Sequence, residues 1–293
     1  MRVVCVAPWC GSGGPEALHQ LCHIANELGH DAAIFYSDAP HDESSTFFGD
    51  AYPLARRTLT IDDSPETLLI VPETFRLDEY PCCRFHTSMK VVWWLSMDFG
   101  MPQLDHFLLY PNIYFACQSE YAMHAVGSLC CNRSFMLTDF VRRINFPPCI
   151  KENIVVYHAR KDHATPYICI KNNIPCKAIH NVDAEESQRL MHGAKIYCDL
   201  GSHPGKDRMP REAAMQGCVV ITGTRGSAGN SLDVPIESKS DVADEILRMI
   251  DHGLCNYNEA YASQAKYRSW ISGERDRFKD EISSMFERVS AKE

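Results

Sequence analysis

The densest cluster of polar and charged side chains in this 293-residue sequence runs from position 199 to 212. It reads DLGSHPGKDRMPRE and follows an apolar run with the character of a buried strand. Open α/β sheets bind ligands where such strands end, and a helix that starts there offers free backbone N–H groups to anions. We therefore predict an anion-binding loop in this stretch, and phosphate is the anion that fits it best.

Five cationic side chains are the predicted phosphate ligands. Lys206, Arg208 and Arg211 lie inside the polar stretch. Arg160 and Lys161 follow another predicted strand, at residues 154–157. Strands of one parallel sheet end at the same edge, so cations that follow different strands can meet the same phosphate. A solvated connecting loop with ordinary surface charges is the alternative interpretation.

A loop of small residues follows a third apolar run, at residues 218–222. Gly226, Ser227 and Ala228 allow the backbone to approach a ligand closely, and the serine hydroxyl can bond phosphate or sugar oxygens. An ordinary loop has the same composition. Two such loops after strands of one sheet favour a shared binding site.

A glycine-rich loop also occurs near the start of the chain, formed by Gly11, Ser12, Gly13 and Gly14. It is not a dinucleotide fingerprint, because G-x-G-x-x-G requires glycine at the position of Glu16, and it lacks the Lys-Ser/Thr ending of a P-loop. The loop precedes a predicted helix, so it is either a generic site for an anion or a hydroxyl group or a simple tight turn.

Other catalytic chemistry has little support in the sequence. His19 and His23 are four residues apart, as in half of a zinc site, but no third ligand stands at a recognisable spacing. There is no G-x-S-x-G nucleophile motif. We predict neither a metal nor a cofactor.

The elements that must position these residues alternate between strand and helix in both halves of the chain. The Pro147-Pro148 pair is the best linker signal, since neither residue continues a helix. We predict two α/β domains, residues 1–146 and 147–293, each a doubly wound Rossmann-like sheet, facing each other across a cleft. An amphipathic helix at about residues 261–289 is expected to pack on the protein, with a return to the first domain as one possibility.

Composition limits the classes of partner. A net charge of −9 argues against a general nucleic-acid binder. No run of about 18 apolar residues occurs, so membrane contact is expected to be peripheral at most. The 14 cysteines form no C-x-x-C motif, and many lie in apolar stretches, which is typical of reduced thiols in a cytoplasmic protein.

The segment PREAAMQGCVV at residues 210–220 resembles the P-x-x-x-x-E-A-M-A-x-G-x-P-V-V-A-T segment of the group-1, glycogen-synthase-like glycosyltransferases. The preceding HPGKDR resembles a bacterial subgroup of sugar transferases. The resemblance implies the two-domain GT-B fold, with Glu212 on the ribose hydroxyls of a nucleotide and the loop at Gly226, Ser227 and Ala228 near its diphosphate. It also places the loop at residues 11–14 on the acceptor side.

The sequence departs from the family pattern where the first acidic residue of the E-x₇-E motif is expected. That position holds Pro204, so His203 or Asp207 becomes the candidate catalytic residue, and the stereochemistry of transfer stays open. The resemblance implies transfer of a sugar from a nucleotide-diphosphate sugar to a saccharide or other hydroxyl acceptor, without a metal, in polysaccharide or glycoconjugate assembly. A catalytically silent sugar-nucleotide-binding subunit and a GT-B-like sugar-nucleotide epimerase are the alternatives.

Overall fold

The computed structural model describes residues 1–38, 45–130 and 132–291, which form two compact units. The first unit consists of Met1–Phe140 and Arg275–Glu293, and the second of Val141–Glu274. The predicted boundary at 146/147 lies beyond the observed one. Phe140 is buried in a core of the first unit, whereas Val141 already packs against a core of the second.

The first unit is built on a parallel sheet that has seven strands within the described residues, in the order β3-β2-β1-β4-β5-β6-β7. Its central strands are continuous apolar runs that are buried on both faces, as parallel sheets require. The strands are β1 (Arg2–Ala7), β2 (Asp31–Tyr36), β3 (Arg56–Arg57), β4 (Thr67–Pro72), β5 (Met89–Trp94), β6 (Ile113–Cys117) and β7 (Ser134–Met136).

The second unit has a smaller parallel sheet, with four strands in the described part of the chain and the order β11-β10-β8-β9. Apolar residues fill the space on both sides of this sheet. Its strands are β8 (Glu152–His158), β9 (Cys176–Ile179), β10 (Ala194–Asp199) and β11 (Val219–Thr222).

Helices connect β1 to β2, β5 to β6 and β6 to β7 in the first unit and all four strands of the second, so the alternation of strand and helix predicted from the sequence is confirmed over these parts of the described chain. The described helices are α1 (Gly13–Glu27), α2 (Met97–Gly100), α3 (Leu104–Leu108), α4 (Glu120–Gly127), α5 (Ala164–Lys171), α6 (Ala184–Gly193), α7 (Arg208–Met215), α8 (Ala243–Cys255), α9 (Tyr257–Ser263), α10 (Ala265–Ser272) and α11 (Glu274–Ser290). No described helix combines the length and the apolar character needed to cross a bilayer.

The end of the chain contains three helices where the sequence predicted one. The predicted helix at about residues 261–289 covers the end of α9, all of α10 and most of α11. The break between α10 and α11 falls at Gly273, a residue of low helix propensity. Helix α11 buries Phe278, Ile282 and Met285 in the same apolar cluster as Leu18 of α1, so the last helix completes a core of the first unit.

Candidate functional site

Three loops of the second unit start at the carboxyl ends of neighbouring strands. They comprise residues 159–163 after β8, 200–207 after β10 and 223–229 after β11. Because these strands pair in parallel, the three loops share one edge of the sheet. Every predicted site residue of the second unit lies on one of these loops or on α7, which starts directly after the second loop.

The imidazole of His203 lies between two carboxylates at this edge. Its Nε2 is 3.5 Å from Oδ1 of Asp199, and its Nδ1 is 3.5 Å from Oδ2 of Asp207. The Asp207 carboxylate in turn accepts a 2.7 Å hydrogen bond from Nζ of Lys161, and the hydroxyl of Tyr197 donates to Asp199 at 2.9 Å. Asp199, His203, Asp207 and Lys161 therefore form a row of alternating charges, which we call the charge row.

Burial and neighbouring charges shift the pKa values of His203 and Asp199 in opposite directions. Burial lowers the pKa of His203, but the carboxylates of Asp199 and Asp207 outweigh it and hold that pKa above its ordinary value. Burial raises the pKa of Asp199, but the positive charge of His203 and the hydrogen bond from Tyr197 leave it below its ordinary value. The two carboxylates thus favour the protonated form of the His203 imidazole, and His203 in turn favours the ionised form of Asp199.

Asp199, His203 and Asp207 also have the composition of a metal site, and one ligand atom of each lies within 4.8 Å of the others. The two carboxylates face different ring nitrogens, and a single ion cannot bind both nitrogens of one imidazole. The ammonium group of Lys161 already neutralises Asp207. We interpret the cluster as an ion-pair row.

The burial of His203 changes its predicted role. The side chain is 1% exposed, so it does not reach a ligand at the surface, and we correct the prediction that it acts directly on a sugar. Asp207 is more accessible, with its side chain 16% exposed. Of the two candidate catalytic residues, only Asp207 has access to solvent in this structure.

The loop after β11 packs tightly against the loop after β10. Gly226 has φ +69°, and a Cβ atom there would lie 2.1 Å from the carbonyl oxygen of His203, so only glycine fits. Ser227 donates its backbone N–H to that same oxygen and its hydroxyl to the carbonyl of Gly205. Ser227 and Ala228 are buried. Both are predicted ligand contacts, but Ser227 holds the neighbouring loop in place and Ala228 has no exposed surface to offer.

Lys206 and Arg211 are also buried, which corrects their predicted role as phosphate ligands. Glu274 binds the ammonium group of Lys206 at 3.1 Å and the guanidinium group of Arg211 at 2.9 Å. The ammonium group lies 4.5 Å from the centroid of the Trp270 ring. These charges are directed into the protein, because their counter-charge is inside it.

Four of the predicted donor-binding side chains keep some access to solvent. Arg160 is exposed and donates to Oδ1 of Asn181, and the Lys161 side chain is 38% exposed. Arg208 and Glu212 are half-buried on the first two turns of α7. The side chain of the N-cap residue makes no capping hydrogen bond to α7. This group of cations, one carboxylate and a helix start has the chemistry needed to bind a phosphorylated, hydroxylated ligand.

The glycine-rich loop of the first unit lies between β1 and the first turn of α1. Gly11, Ser12 and Gly13 are exposed and Gly14 is half-buried. The Ser12 side chain, at the N-cap of α1, makes no capping hydrogen bond. The loop is exposed, and its role as a site for an anion or a hydroxyl group stays a prediction beside the alternative of a simple tight turn.

The His19 and His23 pair has partners other than a metal. His19 is buried, with Nδ1 2.6 Å from the carbonyl of Pro15 and Nε2 2.6 Å from the hydroxyl of Tyr36. Nδ1 of His23 accepts a hydrogen bond from the backbone of Leu54. Both rings are parts of the fold around α1.

A cavity of about 660 Å³ opens at the opposite, amino edge of the second sheet. Lys151 and Lys195 line it together with Cys149, Cys255 and Tyr257. Lys195 donates to the carbonyl of Leu254. The ammonium group of Lys151 shares its three N–H donors among four backbone carbonyls within 3.2 Å, those of Met191, His192, Ala194 and Gln216. Since both lysines bind backbone oxygens, the cavity lacks the exposed cations found at the carboxyl edge.

Two acidic residues that organise the site were missed in the sequence. Asp162 accepts backbone N–H bonds from Ala164 and Thr165 and another, at 2.9 Å, from Leu200 of the neighbouring loop. Its place just before a helix is a capping pattern that sequence reasoning can find. Glu274 gives no such local signal, since its partner Arg211 is 63 residues away.

No protein-family model and no curated protein matches the chain. Solved structures do match. Sucrose-phosphate synthase from Thermosynechococcus elongatus is 11% identical, with 100% of both chains covered and a TM-score of 0.71. HepE from Anabaena in complex with UDP-glucose is 10% identical, with 98% of this chain and 99% of that chain covered and a TM-score of 0.68. A glycosyltransferase from Rickettsia africae ESF-5 is 10% identical, with 100% of this chain and 99% of that chain covered and a TM-score of 0.67.

These similarities extend over nearly the whole chain and over nearly the whole of each matched structure. At identities of 10–11% they establish the fold and leave activity and substrate to separate argument. The chain has the GT-B fold predicted from its sequence, with one Rossmann-like sheet in each unit.

Proposed function

We propose that the protein transfers a sugar from a nucleotide-diphosphate sugar to a hydroxyl group of an acceptor, as a member of the group-1 glycosyltransferases. The observation that carries this proposal is the group of accessible side chains at the carboxyl edge of the second sheet. Arg160 and Lys161 supply positive charge there, and α7 contributes its N-terminus and Glu212. One structure of the same fold was solved with UDP-glucose, which is a ligand of this chemistry.

The main requirement of this reaction is to stabilise the diphosphate leaving group. Transfer breaks the bond between the sugar and the diphosphate, so negative charge develops on the diphosphate oxygens in the transition state. Cations that are already positioned there stabilise this state more than the ground state. Lys161, held by Asp207, and Arg160 are our candidates for this task. We propose that they perform it without a metal.

We assign each of the remaining accessible groups to a different part of the donor or to the acceptor. Glu212 is half-buried on the second turn of α7, where its carboxylate can accept hydrogen bonds from the ribose hydroxyls. We assign the acceptor, a saccharide or another hydroxyl compound, to the exposed loop at residues 11–14 of the first unit. Asp207 stays a candidate for contact with the transferred sugar.

Binding is the first test. We would titrate UDP, GDP, ADP, dTDP and CMP into the wild type and into the Lys161→Met and Glu212→Ala variants by calorimetry. One nucleotide should bind, and each variant should lose about tenfold in affinity, equivalent to about 1.4 kcal/mol. Lys171→Met is the matched control, because Lys171 is an exposed lysine at the end of α5. Equal affinity in all variants would place the nucleotide elsewhere.

Turnover separates the proposal from its alternatives. The sugar donor that corresponds to the bound nucleotide is incubated with and without candidate saccharides, and the products are separated by chromatography. A transferase releases nucleotide when an acceptor is added. An interconverted donor sugar in the absence of acceptor would identify an epimerase, and binding with neither product would identify a silent binding subunit.

A further inference from the structure

Glu274 lies at a special place in the chain. It is the last residue of the second unit and the first residue of α11, and its side chain is buried. Its carboxylate contacts Lys206 on one oxygen and Arg211 on the other. Oε2 also accepts a hydrogen bond from the backbone N–H of Val141, the first residue of the second unit. One carboxylate therefore joins both ends of this unit to two of its cations.

Arg211 extends this connection to the backbone of the loop after β10. Its Nη2 donates to the carbonyl of Lys206 at 2.7 Å, and its Nε donates to the carbonyl of Asp207 at 3.2 Å. The planar guanidinium fixes these two carbonyls relative to Glu274, because its donors have a rigid geometry. Asp207 is the residue that immediately precedes α7, so the start of that helix is fixed as well.

The side chain of Asp207 connects this loop to a cation at the surface. It binds Nζ of Lys161, the accessible cation of the charge row, at 2.7 Å. Glu274 thus contacts Arg211, and Arg211 contacts the backbone of Asp207. The side chain of Asp207 contacts Lys161. Neutralising Glu274 would remove this buried counter-charge from Lys206 and Arg211, and the loss of an anion that two buried cations share destabilises the arrangement of the loop around them.

We propose that Glu274 is a positioning residue for the nucleotide-binding edge. It holds the loop at residues 203–208 and the first turn of α7 in the arrangement that presents Lys161 and the helix N-terminus to a phosphorylated ligand. The part of this inference that concerns nucleotides rests on the proposed function. The part that concerns the loop does not.

The test compares Glu274→Gln with Glu281→Gln. Glu281 lies on the same helix and accepts hydrogen bonds from the backbone N–H and the hydroxyl of Thr138, so this half-buried glutamate is a comparable anchor of the first unit. Both variants should lower the melting temperature. Only Glu274→Gln should speed hydrogen exchange of backbone amides at residues 203–210 without nucleotide, measured well below the melting temperature.

Affinity is the second readout, with the nucleoside diphosphate that binds the wild type as the probe. Glu274→Gln should weaken its binding about tenfold, whereas Glu281→Gln should leave it within about twofold, and Glu274→Asp should restore part of the loss. If Glu274→Gln does not fold, the double variant Lys206→Met/Glu274→Gln carries the same test, because it removes one cation together with the anion.

The outcomes separate the two proposals. Unchanged exchange and affinity in Glu274→Gln, in a wild type that binds nucleotide, would overturn the positioning role alone. A wild type that binds none of the five nucleotides would overturn the proposed function and the nucleotide part of this inference. In that case, faster exchange confined to residues 203–210 of Glu274→Gln would still support the control of the loop by Glu274.

Discussion

Two groups of cations lie near the carboxyl edge of the second sheet and differ in their surroundings. Arg160 and Lys161 follow β8 and face solvent in part or in full. Lys206, Arg211 and His203 follow β10 and are buried against carboxylates inside the unit. The sequence presents Arg160, Lys161, Lys206 and Arg211 as equivalent positive charges in polar loops, and His203 as a candidate catalytic residue.

The comparison shows that the location of the counter-charge decides what a cation does. A buried cation must be neutralised within the protein, and its geometry then organises the backbone around it. A cation at the surface loses little hydration energy and keeps hydrogen-bond donors available for a ligand. Burial therefore divides the positive charge of this edge into a buried structural set and an exposed set, which we propose as the ligand-binding set.

The largest expected effect is on the stability of the buried set. Arg211→Met removes the guanidinium from Glu274 and from two loop carbonyls, so we expect a loss of about 3–5 kcal/mol in the free energy of unfolding. Urea denaturation followed by circular dichroism measures it. A loss below about 1 kcal/mol would show that the buried cluster contributes no more than a surface ion pair.

A change of pH is expected to have an intermediate effect on the free energy of unfolding, through His203. Asp199 and Asp207 raise the folded-state pKa of His203 above its ordinary value of 6.5, with Lys161 and Tyr197 as the other titratable groups in contact with these carboxylates. The stabilisation from His203 is fully present below the unfolded-state pKa and is lost as the pH rises through the folded-state pKa.

The measurement is the free energy of unfolding of the wild type and of His203→Gln as a function of pH. The wild type should lose more stability than the variant as the pH is raised from about 6.5, because glutamine does not titrate. Parallel curves for the two proteins would show that folding does not raise the pKa of His203.

The smallest effects on stability are expected for the exposed set. Lys161→Met removes an ion pair at the surface and should cost about 0–1 kcal/mol, and Arg160→Ala should stay within about 0.5 kcal/mol. Both variants should nevertheless weaken nucleotide binding, and the difference from the wild type should shrink as salt is added. A large loss of stability in either variant would show that the exposed cations support the fold as the buried cations do.

The sequence predicted the fold and the edge of the sheet well, because both depend on local patterns. Apolar runs of four to seven residues mark the strands, and the polar loops that follow them mark the carboxyl edge. The two short strands β3 and β7 escaped prediction, since Arg56–Arg57 and Ser134–Met136 are too short to show a hydrophobic pattern.

The division of the cations could not be predicted, because it depends on residues far away in the chain. Glu274 determines the orientation of Lys206 and Arg211 from a position after all the strands and loops of the second unit. Ser227 was chosen as a ligand residue for its hydroxyl, but a carbonyl 22 residues earlier accepts that hydrogen bond. Motif reasoning identified the loops correctly and could not tell which side of each loop faces inward.

The return of the chain to the first unit has a consequence for synthesis on the ribosome. Residues 1–140 emerge first, yet their core lacks Phe278, Ile282, Met285, Phe286 and Val289 until α11 is released. The second unit is continuous and is complete by residue 274. At about 5–20 residues per second, the roughly 150 residues from Phe140 to Val289 take about 7 to 30 seconds, and this apolar surface stays uncovered for that time. The part of the protein that is made first is therefore finished last.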